Sequence, residues 1–114
     1  MIHSKENSQH YIWGDQCDSW ILKNTQNLSV KQEKMPAGTS EKLHFHKVAE
    51  QFFYILKGYA VLYVNEEKFI VQQGESIFVS PESKHFISNE SAEEVEFLVI
   101  SSPPADHDRI EVKE

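Results

Sequence analysis

Three histidines, His44, His46 and His85, carry the strongest chemical signal in the chain. His44 and His46 are separated by one residue, within the stretch 38–58 that reads GTSEKLHFHKVAEQFFYILKG. In an extended strand, alternate side chains share a face. Both imidazoles then project side by side while Leu43 and Phe45 point the other way. Two imidazoles a strand pleat apart can hold one transition metal ion between them. The run 51–56 is apolar, aromatic and β-branched, and Gly58 ends it. It reads as a second strand, and the short turn before it delivers Glu50 or Gln51 close to the histidine pair. A His-x-His pair suits a solvated strand face equally well. The third histidine shifts the balance. His85 follows the turn-like Ser80-Pro81-Glu82-Ser83, and strand-like sequence fills the interval from Gly58 to Gly74. The chain can therefore bring His85 back over the first pair.

The elements that must position these side chains are strands. Residues 19–23, 28–35, 59–64, 68–71, 76–79, 84–88 and 94–101 each read as a strand, and polar or glycine-containing turns separate them. Turn signals recur about every 8–12 residues, as in a sandwich or barrel built only of β-structure. No segment carries a sustained helical period with caps, and there is no internal repeat. Residues 11–20, YIWGDQCDSW, place aromatic side chains around a Gly14-Asp15 turn and are expected to cover an end or edge of the core. Pro103-Pro104 stops the last long strand, and residues 109–112 add a marginal edge strand. The expected organisation is a polar tail over 1–10, one β-domain over 11–102 and a short C-terminal tail over 103–114.

Composition limits the function classes. The chain has 114 residues, enough for one domain, with 39% hydrophobic and 25% charged residues. Seven Phe, four Tyr and two Trp supply the large packing groups of a core. The formal net charge is -7, from 18 acidic and 11 basic residues, and Arg109 is the sole arginine. With no basic stripe, nucleic acid is not an expected partner. No apolar run approaches the ~18 residues of a membrane span, and the polar start MIHSKENSQH lacks a secretory apolar segment. The single cysteine, Cys17, cannot form an internal disulfide, so a reducing cytoplasm is the expected setting. His3, His10 and His107 fall in polar terminal segments and read as solvated. Asp106-His107-Asp108 could hold a metal loosely, but its place beyond Pro103-Pro104 argues for simple exposure.

Taken together, these spacings resemble those of the cupins. Gly38, five residues, His44-x-His46, an acid or amide, and Gly58 resemble the family's first motif. Gly74, ten residues, His85, three residues and Asn89 resemble the second. The resemblance spans residues 28–101 and implies a double-stranded β-helix, or jelly-roll barrel, with a divalent metal ion inside one mouth. Two departures stand out. Ser80 and Glu82 occupy the turn positions where the second motif usually has Pro and Gly. The first motif usually carries a glutamate separated from its closing glycine by six residues. Counted back from Gly58, that position is Gln51, and Glu50 comes one earlier. A slip of one residue flips a strand, so register favours Gln51 as the fourth ligand, with Glu50 as the alternative.

The resemblance implies a metal set of His44, His46, His85 and Gln51, for one divalent ion among Fe, Mn, Ni, Co, Cu and Zn. Three imidazoles and an amide oxygen leave such an ion its full +2 charge, which favours anionic, chelating substrates. Phe53, Tyr54 and Tyr63 are the expected pocket-lining aromatics. No general base stands out, Glu50 being the one acid close to the proposed ligands. The expected function is a metal enzyme, isomerase-like or dioxygenase-like, acting on a small molecule. A non-catalytic barrel that binds or senses a small ligand is the alternative. A chain this short, with aromatic sheet faces, is expected to form a homodimer.

Overall fold

The computed structural model describes residues 1–113; Glu114, the last residue of the expected C-terminal tail, lies outside the described residues. Eleven strands run in chain order: β1 Gln9–Trp13, β2 Cys17–Asn24, β3 Ser29–Met35, β4 His44–His46, β5 Glu50–Lys57, β6 Tyr59–Val64, β7 Glu67–Gln72, β8 Ser76–Val79, β9 His85–Ser88, β10 Val95–Ser102 and β11 Arg109–Glu111. Two single turns of 3-10 helix, Lys5–Asn7 and Ala105–His107, complete the inventory. The strands form a six-stranded sheet, in the order β1-β2-β3-β10-β5-β8, and a five-stranded sheet, β11-β4-β9-β6-β7. Every pairing is antiparallel, and the two sheets face each other as an all-β jelly roll.

Alternation sets the inside of the roll. On β5, Gln51, Phe53 and Ile55 are buried, while Glu50, Phe52 and Tyr54 face out. On β10, Val95, Phe97, Val99 and Ser101 are buried in turn. Register aligns these rows across the large sheet. Ser29, Ser101 and Gln51 make one layer, Lys31, Val99 and Phe53 the next, and Glu33, Phe97 and Ile55 the third. Met35 and Val95 close the far end. From the small sheet, Leu62 pairs Ile87 and Val64 pairs His85. The apolar core is therefore concentrated at one end, around Met35, Ile55, Leu62, Val71, Ile87, Val95 and Phe97.

Glycine is required at the β5–β6 junction. Gly58 has φ +81, and a Cβ there would sit 3.1 Å from the Glu94 carbonyl oxygen. The β6–β7 hairpin turns on Asn65 and Glu66, both at positive φ (49 and 72), which is a two-residue turn of the twist that hairpins favour. Asn89, at the end of the second motif, is buried. Its side-chain amide donates to the Met35 and Glu93 carbonyls, tying the β9–β10 turn to the end of β3.

The C-terminal segment is not a free tail. It crosses the open mouth of the roll and adds β11 to the edge of β4, pairing Arg109 with His46 and Glu111 with His44. At the other end, β1 begins at Gln9, within the stretch expected to be a polar tail.

Candidate metal centre

His44 and His85 face each other across β4 and β9, and His46 lies one pleat further along β4. All three are buried, at 2%, 1% and 3% exposure. One ring nitrogen from each falls within 4.8 Å of the others. Their ring centroids are 4.4 Å (His44–His85), 5.1 Å (His44–His46) and 5.8 Å (His46–His85) apart.

The hydrogen bonds fix which nitrogen carries the proton. His44 Nδ1 lies 2.7 Å from the Lys42 carbonyl oxygen, and His85 Nδ1 lies 2.8 Å from that of Ser83. A carbonyl only accepts, so each Nδ1 must carry the hydrogen and each Nε2 is left as a lone pair. His46 Nδ1 meets the Asp108 carboxylate at 3.0 Å, with the same consequence. His46 Nε2 is buried without a hydrogen-bond partner.

Gln51 is buried and directs Oε1 to within 2.9 Å of His85 Nε2, while its amide nitrogen donates to Ser101 Oγ at 3.0 Å. Oε1 and the unprotonated Nε2 are both acceptors. Two lone pairs at that distance repel unless a cation lies among them. Glu50 points away from the cluster and is exposed. The residues therefore fit a divalent transition ion: nitrogen-rich, tied back through every Nδ1, and converging on one point.

Burial keeps the imidazoles neutral. It holds His44 down at about 3 and His85 at about 4, and it lowers His46 as well, against the pull of Asp108. The nearby Arg109 guanidinium pushes all three the same way. Neutral imidazole is the form that ligates a metal.

A cavity of about 550 Å3 opens over the cluster, lined by His44, His46, Gln51 and Phe53 at its floor. Its walls are polar, including Lys31, Glu33, Glu41 and Arg109. Burial pushes the Glu33 and Glu41 carboxyls up to about 7; Arg109 and the Ile87 N–H resist the rise at Glu41. Lys31 Nζ donates to Tyr11 Oη and Asp106 Oδ1, both at 3.0 Å. Arg109 approaches Glu41 and Glu111 at 3.7 Å each.

Two of the three expected pocket aromatics lie elsewhere. Tyr54 is on the outer face of β5, because Phe53 takes the inward position. Tyr63 stacks on Phe86, and its hydroxyl donates to Glu90 on the outside of the roll. Phe53 lines the cavity. His3, His10 and His107 are exposed and are not part of the cluster.

Asp108, read from sequence as exposed beyond the prolines, instead grips His46, and Asp106 reaches Lys31. Sequence reading missed Lys31, Glu33, Glu41, Asp108 and Arg109. In β3 (SVKQEKM) polar residues fall on both faces, so alternation carried no sign of an inward polar row. Residues 109–112 read as a marginal edge strand, in agreement with β11, but nothing local named β4 as its partner. Glu41 alone had a signal, lying between Gly38 and His44 in the first motif.

Among the described residues, no helix is long and apolar enough to cross a membrane. Residues 31–101 match the model of the cupin domain family. An uncharacterised protein of Methanocaldococcus jannaschii is 33% identical over 86 residues, covering 75% of this chain and 69% of that one. An oxalate-binding protein of Thermotoga maritima is 31% identical over 67 residues, covering 59% of this chain and 55% of that one. Among solved structures, a predicted oxalate decarboxylase from Thermotoga maritima superposes with a TM-score of 0.82 at 20% identity, over 90% of this chain and 98% of that one. The two motifs, the facing antiparallel sheets and these similarities agree: the chain belongs to the cupin domain family.

Proposed function

We propose that this cupin holds one divalent transition ion through His44, His46, His85 and Gln51 and acts on a small anionic or chelating molecule bound in the cavity above it. The observation that carries this reading is the set of unprotonated, buried acceptors facing one another with every Nδ1 already tied. All the proposed ligands are neutral, so an ion among Fe, Mn, Ni, Co, Cu and Zn would keep its full charge and attract anions. When bound, such an ion supplies Lewis acidity toward a chelating carbonyl or enediol or, if redox-active, electrons for O2 chemistry.

The chain's own residues do the rest. Arg109 and Lys31 present cationic groups to the cavity and orient an anionic ligand. Glu33 and Glu41, poised near neutrality, can hold or release a proton beside that ligand. Phe53 gives the floor an apolar wall that excludes water from one side. Isomerase-like and dioxygenase-like chemistry both fit this arrangement.

Binding without turnover is the second reading, and the similarity to an oxalate-binding protein favours it. Metal analysis of untagged protein, followed by binding and turnover assays with oxalate, hydroxy acids, sugars and catechols, with and without O2, separates the two. Close to one ion per chain supports the site. Metal retained in full by both His44→Ala and His85→Ala rejects it.

Assembly belongs to the same proposal. Phe52 and Phe78 pair across β5 and β8 on the outer face at 38% and 55% exposure, and Ile100 adjoins Phe52 from β10. This apolar strip supports a homodimer formed through the large sheet. Sedimentation that finds only monomer at high micromolar concentration overturns it.

A further inference from the structure

We propose that Asp108 is a positioning residue for the metal site, holding His46 in the Nδ1–H tautomer so that Nε2 faces the other histidines as a lone pair. The inference rests on the metal reading above for its consequence, but its geometry stands on its own.

The three histidines are not held alike. His44 and His85 each give Nδ1–H to the carbonyl two residues earlier in the chain, Lys42 and Ser83, so their own strands set the tautomer. His46 instead takes a partner 62 residues away, Asp108, at 3.0 Å. The Asp108 carboxylate cannot turn freely. Its second oxygen accepts the backbone N–H groups of Val48 and Ala49, at 2.9 and 3.0 Å. One carboxylate therefore ties the turn after β4 to the ring of His46, with its side chain 20% exposed and that of His46 4%. β11, which pairs Arg109 with His46, brings Asp108 into place. Asp108 lies outside residues 31–101, the part that matches the family, so this hold on the third histidine comes from the chain's own C-terminal strap.

A carboxylate can only accept from an imidazole N–H, so it selects the Nδ1–H form. Without it, His46 is free to adopt the Nε2–H form, which aims a hydrogen at the cluster and cannot ligate. Carboxylate partners of this kind change metal affinity by about 10–100-fold. Asp108→Asn sharpens the test. Its amide oxygen can keep the Val48 and Ala49 N–H groups, which turns the NH2 toward His46 Nδ1 and selects the Nε2–H form.

The experiment reads two quantities. Long-range 15N–1H correlation spectra of the metal-free parent at pH 8 report the tautomer of His46, and the Nδ1–H form is expected. Zn2+ affinity is then measured by competition with a chromophoric chelator in the parent, Asp108→Asn and Asp108→Ala. The expected result is about 10–100-fold weaker Zn2+ binding in both variants, with an Nε2–H signal from His46 in Asp108→Asn. If Asp108 serves only to brace the turn, the variants melt earlier but keep the parent's tautomer and Zn2+ affinity, and the proposal fails. It fails equally if the parent's His46 already carries its proton on Nε2, a measurement that needs no variant to fold. A parent that takes up no Zn2+ overturns the metal reading and the affinity consequence, while the tautomer still decides the role of Asp108.

Discussion

The same strands build two unlike ends of one roll. At the mouth, the inward positions are Ser29, Lys31 and Glu33 on β3, Gln51 on β5, His85 on β9 and Ser101 on β10. One or two pleats further along these strands, the inward positions are Met35, Ile55, Ile87 and Phe97. Backbone geometry is continuous across the boundary, and only side chains change. The apolar end needs no partner beyond its neighbours, because burial alone stabilises it. The mouth must answer for each buried polar atom, and most of its atoms are answered one by one: Lys42 O, Ser83 O, Asp108 and Ser101. Among those left without a partner, Trp13 Nε1 lines the same cavity and His46 Nε2 lies where a metal ion fits. The apolar packing resides at one end and the candidate metal centre at the other.

Cutting into the apolar end tests that division most severely. Phe97 is fully buried, in register with Ile55 and packed against Phe53. Phe97→Ala is expected to cost about 3–5 kcal/mol of unfolding free energy, since it leaves a cavity in a close-packed region. His44→Ala in metal-free protein is expected to cost about 1 kcal/mol, the worth of one hydrogen bond to Lys42. Urea unfolding of both variants without metal checks this. Equal losses would mean that the histidines are structural and the comparison is wrong.

At the mouth, Gln51 and Glu50 can be separated by metal affinity. Gln51→Ala is expected to weaken Zn2+ binding by about tenfold or more, by analogy with the loss of partners around a metal site. Gln51→Glu is expected to keep the ion, lower its effective charge and weaken the binding of any anionic ligand. Glu50→Gln, an exposed change, is expected to leave metal content unaltered. Chelator competition on the three variants reads this. The opposite ranking of Glu50→Gln and Gln51→Ala would move the proposed ligand one residue along β5.

Acid acts at the mouth alone, through two opposed sets of buried groups. His44 and His85 ordinarily titrate at 6.5, but the folded, metal-free protein holds them at about 3 and about 4. The unfolded chain takes up protons that the fold refuses. Their contribution to stability is therefore complete above pH 6.5 and is lost as pH falls toward 4 and then 3. Glu33 and Glu41 run the other way, raised from 4.5 to about 7. Their contribution is complete below pH 4.5 and is lost as pH rises through 7. Between pH 4.5 and 6.5 the two sets offset each other, and below 4.5 the histidines are no longer opposed by Glu33 and Glu41, so stability should fall steeply there. Glu33→Gln removes one opposing group. It is expected to raise stability at pH 8 by about 1–2 kcal/mol and to change little at pH 4. Urea midpoints of the metal-free parent and variant across that range decide it. A gap that does not vary with pH would show that the carboxyl's charge is not the cause.

This division also explains what the sequence could and could not reveal. Strand positions and turns were legible, because alternation and punctuation are local: residues 59–64 and 76–79 agree with β6 and β8. The histidine triplet was legible through spacing, since β4 and β9 follow their glycines at set intervals. Lys31 and Glu33 were not legible, because a polar residue facing inward reads like one facing water until the opposite sheet is in place. Asp108 and Arg109 depend on a strap that pairs with β4 across more than half the chain, a contact that no local pattern encodes. Tyr54 and Tyr63 were misplaced for a related reason: an aromatic on a strand announces burial or an outer patch, and only register tells which.

The smallest expected effect concerns a turn at the mouth. Glu82 stands where the second motif usually has Gly, and it adopts φ 69, a left-handed conformation unfavourable to a residue with a Cβ. The turn holds because its backbone is engaged on both sides. Glu82 N–H donates to the His46 carbonyl at 2.6 Å, and Ser83 N–H donates to Ser80 O at 3.3 Å. Glu82→Gly would relieve about 1 kcal/mol or more of strain, but it would also loosen the unfolded chain, which costs about 0.4–1 kcal/mol. The net expectation is a gain of less than about 1 kcal/mol, with unchanged Zn2+ affinity, because the Ser83 carbonyl still sets the tautomer of His85. Gly58→Ala at the apolar end is the counterpart. There φ is +81 and the new Cβ would press on the Glu94 carbonyl at 3.1 Å, so a loss of about 1–3 kcal/mol is expected. Thermal melts of the two variants, with chelator competition on the first, give the comparison. If Glu82→Gly destabilises the fold or weakens Zn2+ binding, the glutamate side chain holds the turn in place, and the mouth is braced there by more than its backbone.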